Sequence, residues 1–516
     1  SLTNLTINSG ITLTINASKE LTVNGTLTNN GTLTLENGAT LVQGTSSTST
    51  TATGNGYVVK QVVTGSGNST PNGRGWYIGS PVNGANSNVF NPTASSNLLY
   101  HWRANQSTPA WAQITAGAES ALEVGKGYLI RMGSNTTLNF AANTLNNAPT
   151  STPINVLCYR QSATVYQGYN LVANPFPSYL DWDVVHAANS SSFESTIWYR
   201  SANGNTMVFD TYAAPGGVGT SNYGGQPVSK YIPPMQGYWV RLNSSVTAGS
   251  SPTNLTLTNA ARSHYAGGAG AGLKSSAQDF PMFLRLNFLQ DTKKDQVILY
   301  MRPEASNDFD SYDAEKMFVS GYPQIYNQLA SRKLVINGMK NSKKVTTIPL
   351  TLEVPTAGTY TLQAEEFNAS EGLILLEDKQ EGIIQDLTFN DTYVFNANSG
   401  VLSNRFFIRF ILPDASINAT GPSNQWVEEE PGLNEAGSIS IGSNGKGKIT
   451  IQQDIDYSTT SVGLVQLSDQ SGKIVFTGTF SGEQSIFELE HIASGVYFVK
   501  ATLNGKEEIK KVFIQF

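Results

Sequence analysis

The first 56 residues place an apolar side chain at every second position and interrupt the pattern every few residues with Asn-Gly. The runs are Leu5-Thr-Ile7, Ile11-Thr-Leu13-Thr-Ile15, Leu21-Thr-Val23 and Leu33-Thr-Leu35. Strict alternation sends one side of an extended chain inward and the other outward, which a helical period of 3.6 cannot do. Asn24-Gly25, Asn30-Gly31 and Asn37-Gly38 fall between the runs, and an Asn-Gly pair accepts the positive φ of a tight turn. Strands this short, broken this often, suit the coils of a β-solenoid or a stack of hairpins. Residues 1–56 are expected to form β-solenoid-like coils, with further coils expected upstream of Ser1.

Strand chemistry continues beyond them. Charged residues make up 14% of the 516-residue chain, against about 25% in ordinary soluble domains. Polarity comes from Thr, Ser, Asn and 48 glycines instead. Thr, Val, Ile and the aromatics favour strands, and Gly and Asn supply turns. The fold class is all-β, in roughly three to five domains. The net charge of −6 and the lack of a basic stripe argue against nucleic acid as a partner. Cys158 is the only cysteine, so no internal disulfide or thiolate zinc cluster can form, and it reads as a buried structural thiol. No run approaches the ~18 apolar residues of a membrane span.

Residues 57–150 and 151–262 read as two copies of one β module. Gly75-Trp-Tyr-Ile-Gly-Ser-Pro81 matches Gly168-Tyr-Asn-Leu-Val-Ala-Asn-Pro175, and Leu99-Tyr-His-Trp-Arg103 matches Ile197-Trp-Tyr-Arg200. Gly125-Lys-Gly-Tyr-Leu-Ile-Arg131 then matches Met235-Gln-Gly-Tyr-Trp-Val-Arg241. Each copy closes on an alternating strand, Thr137–Phe140 and Asn254–Leu257. Their aromatics suit core packing first; the alternative is an exposed face on which Trp102, Trp111, Trp198 and Tyr199 stack on sugar rings. Residues 263–279, with Gly267-Gly-Ala-Gly-Ala-Gly272, read as a linker. Residues 280–413 read as a β-sandwich, 414–437 as a second linker with Glu428–Glu430, and 438–516 as a compact domain with about seven strands, close to an immunoglobulin-like sandwich.

Within that last domain, Leu467-Ser-Asp-Gln-Ser-Gly-Lys-Ile-Val475, Ile492-Ala-Ser-Gly-Val-Tyr-Phe-Val-Lys500 and the closing Lys510-Lys-Val-Phe-Ile514 stand in a fixed order at the terminus. This stretch resembles the C-terminal sorting domains of type IX secretion cargo from Bacteroidetes-type bacteria. The family's usual Pro-Asn-Pro-like opening is replaced by Gly437-Ser-Ile-Ser-Ile441. The resemblance implies periplasmic transit, then recognition by the outer-membrane translocon and its shuttle protein, and a final location at the cell surface or outside the cell. It places the sorting signal on Gly472, Gly495, Val496, Tyr497, Lys500, Lys510, Lys511 and Phe516.

No catalytic apparatus is recognisable. His101, His186, His264 and His491 lie in separate segments without metal-ligand spacing. Asp181 and Asp183 sit one residue apart and read as turn carboxylates rather than an acid–base pair. Asp308, Asp310 and Asp313 alternate in a loop, a pattern suited to a hard cation, and calcium is the one candidate cofactor. The chain is therefore expected to be a non-enzymatic, adhesin-like surface or secreted protein, the C-terminal part of a larger cargo, binding a glycan or surface ligand. The alternative is the carbohydrate-binding accessory region of a secreted polysaccharide-degrading enzyme.

Overall fold

A computed structural model of the chain describes residues 1–65, 75–91, 94, 97–114, 121–162, 166–203, 206–249, 251–264, 280–340, 345–369, 373–388, 390–412, 439–443, 448–453, 463–470, 472–480, 484–489, 492–493, 495–503 and 506–514. Most of the first linker, the second linker, the Asn504-Gly505 turn, His491 and Phe516 lie outside the described residues. Two compact units result: residues 1–280 with 287–340, and residues 281–286 with 341–516.

At the start of the first unit the short strands pair in parallel with partners 20 to 24 residues further on. Leu5 aligns with Leu27, Thr12 with Thr32, Glu20 with Thr40, Thr26 with Thr48, and Thr32 with Gly56. Parallel pairing at that offset makes successive coils, not hairpins. Ile7, Ile15, Val23, Leu27, Leu33 and Leu41 fill the inside. The Asn-Gly pairs play two different parts. Gly38 has the expected positive φ of 76°, but a Cβ on Gly31 would lie 2.2 Å from the Ile11 carbonyl oxygen of the coil beneath. Gly31 is there for close approach, not for its turn angle.

The coils continue into the first module: Thr32–Leu35 pairs in parallel with β1 (Gly56–Val63). That strand pairs antiparallel with β6 (Thr136–Ala142). Between them β2 (Trp76–Ile78), β3 (Leu98–Arg103), β4 (Ala110–Gln113) and β5 (Tyr128–Arg131) form a sheet in the order β2-β5-β3-β4. The second module repeats this plan. Its closing pair is β7 (Ile154–Cys158) with β12 (Thr253–Leu257), and its sheet runs β8 (Tyr169–Ala173), β11 (Gly237–Arg241), β9 (Thr196–Asn203), β10 (Thr206–Ala213), with Val218–Gly219 at the end.

The two copies meet across a local pseudo-twofold axis. Ile78 bridges Gln236, and the equivalent Val172 bridges Lys126. Likewise Gly79 N–H donates to the Met235 carbonyl and Ala173 N–H to the Gly125 carbonyl, each at 2.8 Å. The approach is so close that a Cβ on Gly237 would sit 2.7 Å from that of Tyr77. The repeated glycine of both copies therefore has a packing cause. One face of each sheet joins an ordinary core, with Ile78, Leu99, Tyr128 and Ile130 in one and Val172, Ile197, Tyr199 and Tyr238 in the other. The opposite faces share a separate aromatic cluster.

The rest of the first unit includes Lys293–Met301, parallel to Arg332–Met339, which also forms a hairpin with Gln324–Leu329. Segment 311–315 is stitched to β9 by Ser195 Oγ donating to Ser311 O, Thr196 Oγ1 to Asp313 O and Trp198 Nε1 to Glu315 O. In the second unit Gly400–Ile411 pairs with Val345–Val354 and with Leu373–Asp378. There the Arg405 guanidinium grips the buried Asp378 carboxylate at 2.9 and 2.7 Å. The C-terminal region is two antiparallel sheets, Ile439–Ser443, Lys448–Gln453 and Gln484–Glu488 in one, and Ile474–Phe480, Gly463–Ser468, Gly495–Leu503 and Lys506–Ile514 in the other. Ile449, Ile451, Leu467, Val499 and Val512 are buried in its core.

Candidate functional site

The aromatic cluster between the modules lines a cleft of about 930 Å³. Register explains how it forms. On one module Trp102 of β3 lies directly across from Trp111 of β4, and on the other Arg200 of β9 lies across from Phe209 of β10. Tyr100 faces Leu129 in the first sheet as Trp198 faces Trp239 in the second. Alternation along each strand sends all these residues to the same side.

The rings meet mostly edge to face, the arrangement their quadrupoles favour. Trp102 and Trp239 have centroids 5.2 Å apart at 81°, Trp102 and Trp111 5.5 Å at 69°, and Trp111 and Trp239 5.9 Å at 85°. Tyr77 stacks on Trp111 at 6.0 Å and 29°. Trp102 is locked by its Nε1–H, which donates to the Tyr169 carbonyl at 3.0 Å. At the rim Tyr166 is 57% exposed with φ of 57°, a backbone angle that a bulky residue adopts only when its surroundings hold it there. Burial raises the Tyr77 hydroxyl above its ordinary pKa, so it stays neutral.

Of the four aromatics expected to stack on a ligand, Trp102 and Trp111 line the cleft. The other two do not reach it. Trp198 is fully buried beneath the cluster with its Nε1 on the Glu315 carbonyl, and Tyr199, one residue on, points to the opposite face and packs near Tyr238. Period-two geometry allows only one of two neighbours on a given face. Tyr77, Tyr166, Phe209, Trp239 and Arg200 line the cleft and were missed. One signal was available: the match between Leu129 and Trp239 places the residue after an inward tyrosine on the outward face of both copies.

The acidic loop is held by its own backbone. Asp310 accepts from the N–H groups of Ser306 (2.7 Å) and Tyr312 (2.8 Å), and Asp313 from those of Asp310 and Gly338 (2.9 Å each), while Asp308 is exposed. Burial, with the charge of Asp310 adding to it, pushes Asp313 up to about 7. Among the described residues no set of three or more His, Cys, Asp or Glu side chains is arranged to hold a metal ion. A calcium ion held by this loop would raise the melting temperature by several degrees over that in chelator; no shift would end the cation reading. Asp181 caps the helix Trp182–Asn189 through the N–H of Asp183 and pairs with Lys230 at 2.8 Å, and Asp183 accepts from Tyr212 Oη. His264 is clamped between Thr22 and Thr40 at 2.9 and 2.7 Å.

In the C-terminal region Gly472 takes a φ of 82° in the turn closed by Asp469 and Lys473. Tyr497 is buried with its hydroxyl on the Ala493 carbonyl, and Gly495 and Val496 precede it on the same strand, half-buried. Lys500 pairs with Glu507 at 2.8 Å and Lys510 donates to the Ile441 carbonyl at 2.6 Å, whereas Lys511 is exposed. These residues lie on two neighbouring strands of one sheet and in the turn after Gly463–Ser468 of the same sheet.

Residues 445–515 match the family described as Secretion system C-terminal sorting domain. The chain is therefore a type IX secretion cargo, exported to the cell surface or the extracellular space. No helix among the described residues is long and apolar enough to cross a membrane. No curated protein matches the chain. Among solved structures it is similar to dimeric latent PorU from Porphyromonas gingivalis at 9% identity, covering 74% of this chain and 36% of that one, with a TM-score of 0.14. It is also similar to the BSP domain of a biofilm associated protein at 9% identity, covering 87% and 91%, with a TM-score of 0.12. At those scores neither likeness carries an argument about this chain. Residues 1–410 match the family described as Domain of unknown function (DUF8693), and the protein belongs to that family.

Proposed function

We propose that this exported protein is a non-enzymatic, adhesin-like binder that presents the cleft between its tandem modules to a carbohydrate. The observation that carries the reading is the row of aromatic faces, Trp111 half-buried and Tyr166 exposed at the rim, above a rigid floor of Trp102 and Trp239. Sugar rings offer one apolar C–H face and a polar edge, and aromatic platforms take the first while leaving the second to hydrogen bonds. The floor is fixed by tight packing and by the Trp102 hydrogen bond, so little ordering is required on binding.

A glycan array probed with the whole chain tests this. Binding to at least one glycan class is expected, with Trp111→Ala and Tyr166→Ala each weakening it by roughly tenfold or more. Trp198→Phe, beneath the floor, should leave affinity within about threefold while lowering stability. A chain that binds no glycan, or binds equally well without both rim aromatics, would remove the carbohydrate reading.

A further inference from the structure

The same cleft has a charge pattern that an uncharged ligand does not require. Arg131, Arg200 and Lys316 line it, and among the described residues its lining contains no Asp or Glu. This is unusual in a chain of net charge −6. Lys316 is already neutralised by Asp295 at 2.6 Å. Arg241, the second module's counterpart of Arg131, is neutralised by Glu315 at 2.9 Å with Glu194 at 3.4 Å. Arg200 has no such partner: its guanidinium lies over the Phe209 ring, 4.5 Å from the centroid, and among the described residues no carboxylate pairs with it.

A guanidinium half-withdrawn from water without an anion is costly to hold. Burial accordingly lowers the Arg200 pKa from its ordinary value, and the nearby Arg131 charge adds to the effect. Neutral Tyr77 supplies no counter-charge. Lys316 and Arg241 each have an acid beside them, whereas Arg200 has an aromatic face. An incoming carboxylate or sulfate would accept two parallel N–H bonds from the planar Arg200 fork. The ring carrying that group would lie against Trp111.

We propose that the cleft selects an acidic glycan, a chain of sugars bearing carboxylate or sulfate groups, with the anionic group received by Arg200 and a ring face by Trp111. This rests on the carbohydrate reading above and adds the sign of the ligand's charge. Calorimetric titration of the whole chain with polyuronate and sulfated oligosaccharides, each paired with its methyl-esterified or desulfated counterpart, separates the two. At least one acidic oligosaccharide is expected to bind roughly tenfold or more tightly than its neutral form. That preference should shrink with added salt and vanish in Arg200→Gln, whose affinities for the acidic and the neutral form should become equal. Equal affinity for acidic and neutral partners, or an acidic preference that survives Arg200→Gln, overturns this inference while leaving the carbohydrate reading in place. Binding to none of these oligosaccharides overturns this inference, and the carbohydrate reading falls with it only if the glycan array is also empty.

Discussion

Replacing Arg262 with leucine is expected to lower the stability of the first unit by about 3–5 kcal/mol, the largest loss from a single substitution there. The side chain is 6% exposed and carries its charge into the junction between the N-terminal coils and the second module. Its Nε–H donates to Ser178 Oγ at 3.1 Å. One Nη reaches Gln43 and Asn259 at 3.2 Å, and the other donates to the Leu41 carbonyl at 2.6 Å. The guanidinium also lies 4.6 Å from the centroid of the Phe176 ring. Among the described residues no acid pairs with it: burial pushes its pKa down to about 9, the mark of a charge solvated by neutral oxygens. Leucine would strand Ser178 Oγ, Gln43 Oε1 and the Leu41 carbonyl at once in a dry site, while Asn259 Oδ1 keeps the Ala148 N–H, and each unpaired acceptor costs about 1–3 kcal/mol less whatever relaxation recovers. Lysine should recover only part, because a single ammonium cannot span acceptors set around a planar fork. Six of the seven tryptophans lie in this unit, so urea unfolding followed by tryptophan fluorescence reads it directly. A loss below about 1 kcal/mol would mean that water replaces the guanidinium freely.

That junction also marks where reading the sequence stops. Alternating Thr and Leu in residues 1–56 announces short strands with one buried side, because period two is a local property. Whether those strands pair in parallel depends on partners 20 or more residues away, and the Asn-Gly pairs suggested turns equally well for either arrangement. The landmarks shared by residues 57–150 and 151–262 recur in the same order along the sequence, and the sheets they fall on have the same strand order. The cleft was half legible. Trp102 and Trp111 are cross-strand partners on its lining, yet Trp198 and Tyr199 looked equally suitable until register assigned them to a buried layer and an opposite face. Arg262 was not legible at all: its partner Leu41 lies 221 residues away, and no local pattern distinguishes a buried arginine from the solvated ones.

Deleting residues 438–516 is expected to abolish export, leaving the protein in the periplasm, and a single buried charge should do the same. The reason lies in how the C-terminal region is built. The residues that the resemblance implies for the signal are not a continuous exposed string: Tyr497 is buried, Gly472 sits in a turn, and Lys510 reaches back to the Ile441 carbonyl of another strand. Recognition of such a set requires the two-sheet fold that brings it together. Leu467 is fully buried opposite Val499, so Leu467→Asp places a carboxylate in apolar surroundings at a cost of several kcal/mol. A domain of this size has only about 5–15 kcal/mol to lose. Thr479→Asp adds the same charge to an exposed position on a neighbouring strand and should leave export intact. Surface labelling of the full-length protein in its own bacterium, compared with periplasmic fractions, distinguishes the outcomes. Normal display of the deletion would remove the sorting role. Normal display of Leu467→Asp with the deletion retained would mean that the machinery reads an extended segment instead of a folded shape. Loss of export in Thr479→Asp as severe as in Leu467→Asp would trace the effect to surface charge, because a carboxylate in water costs the sandwich almost nothing.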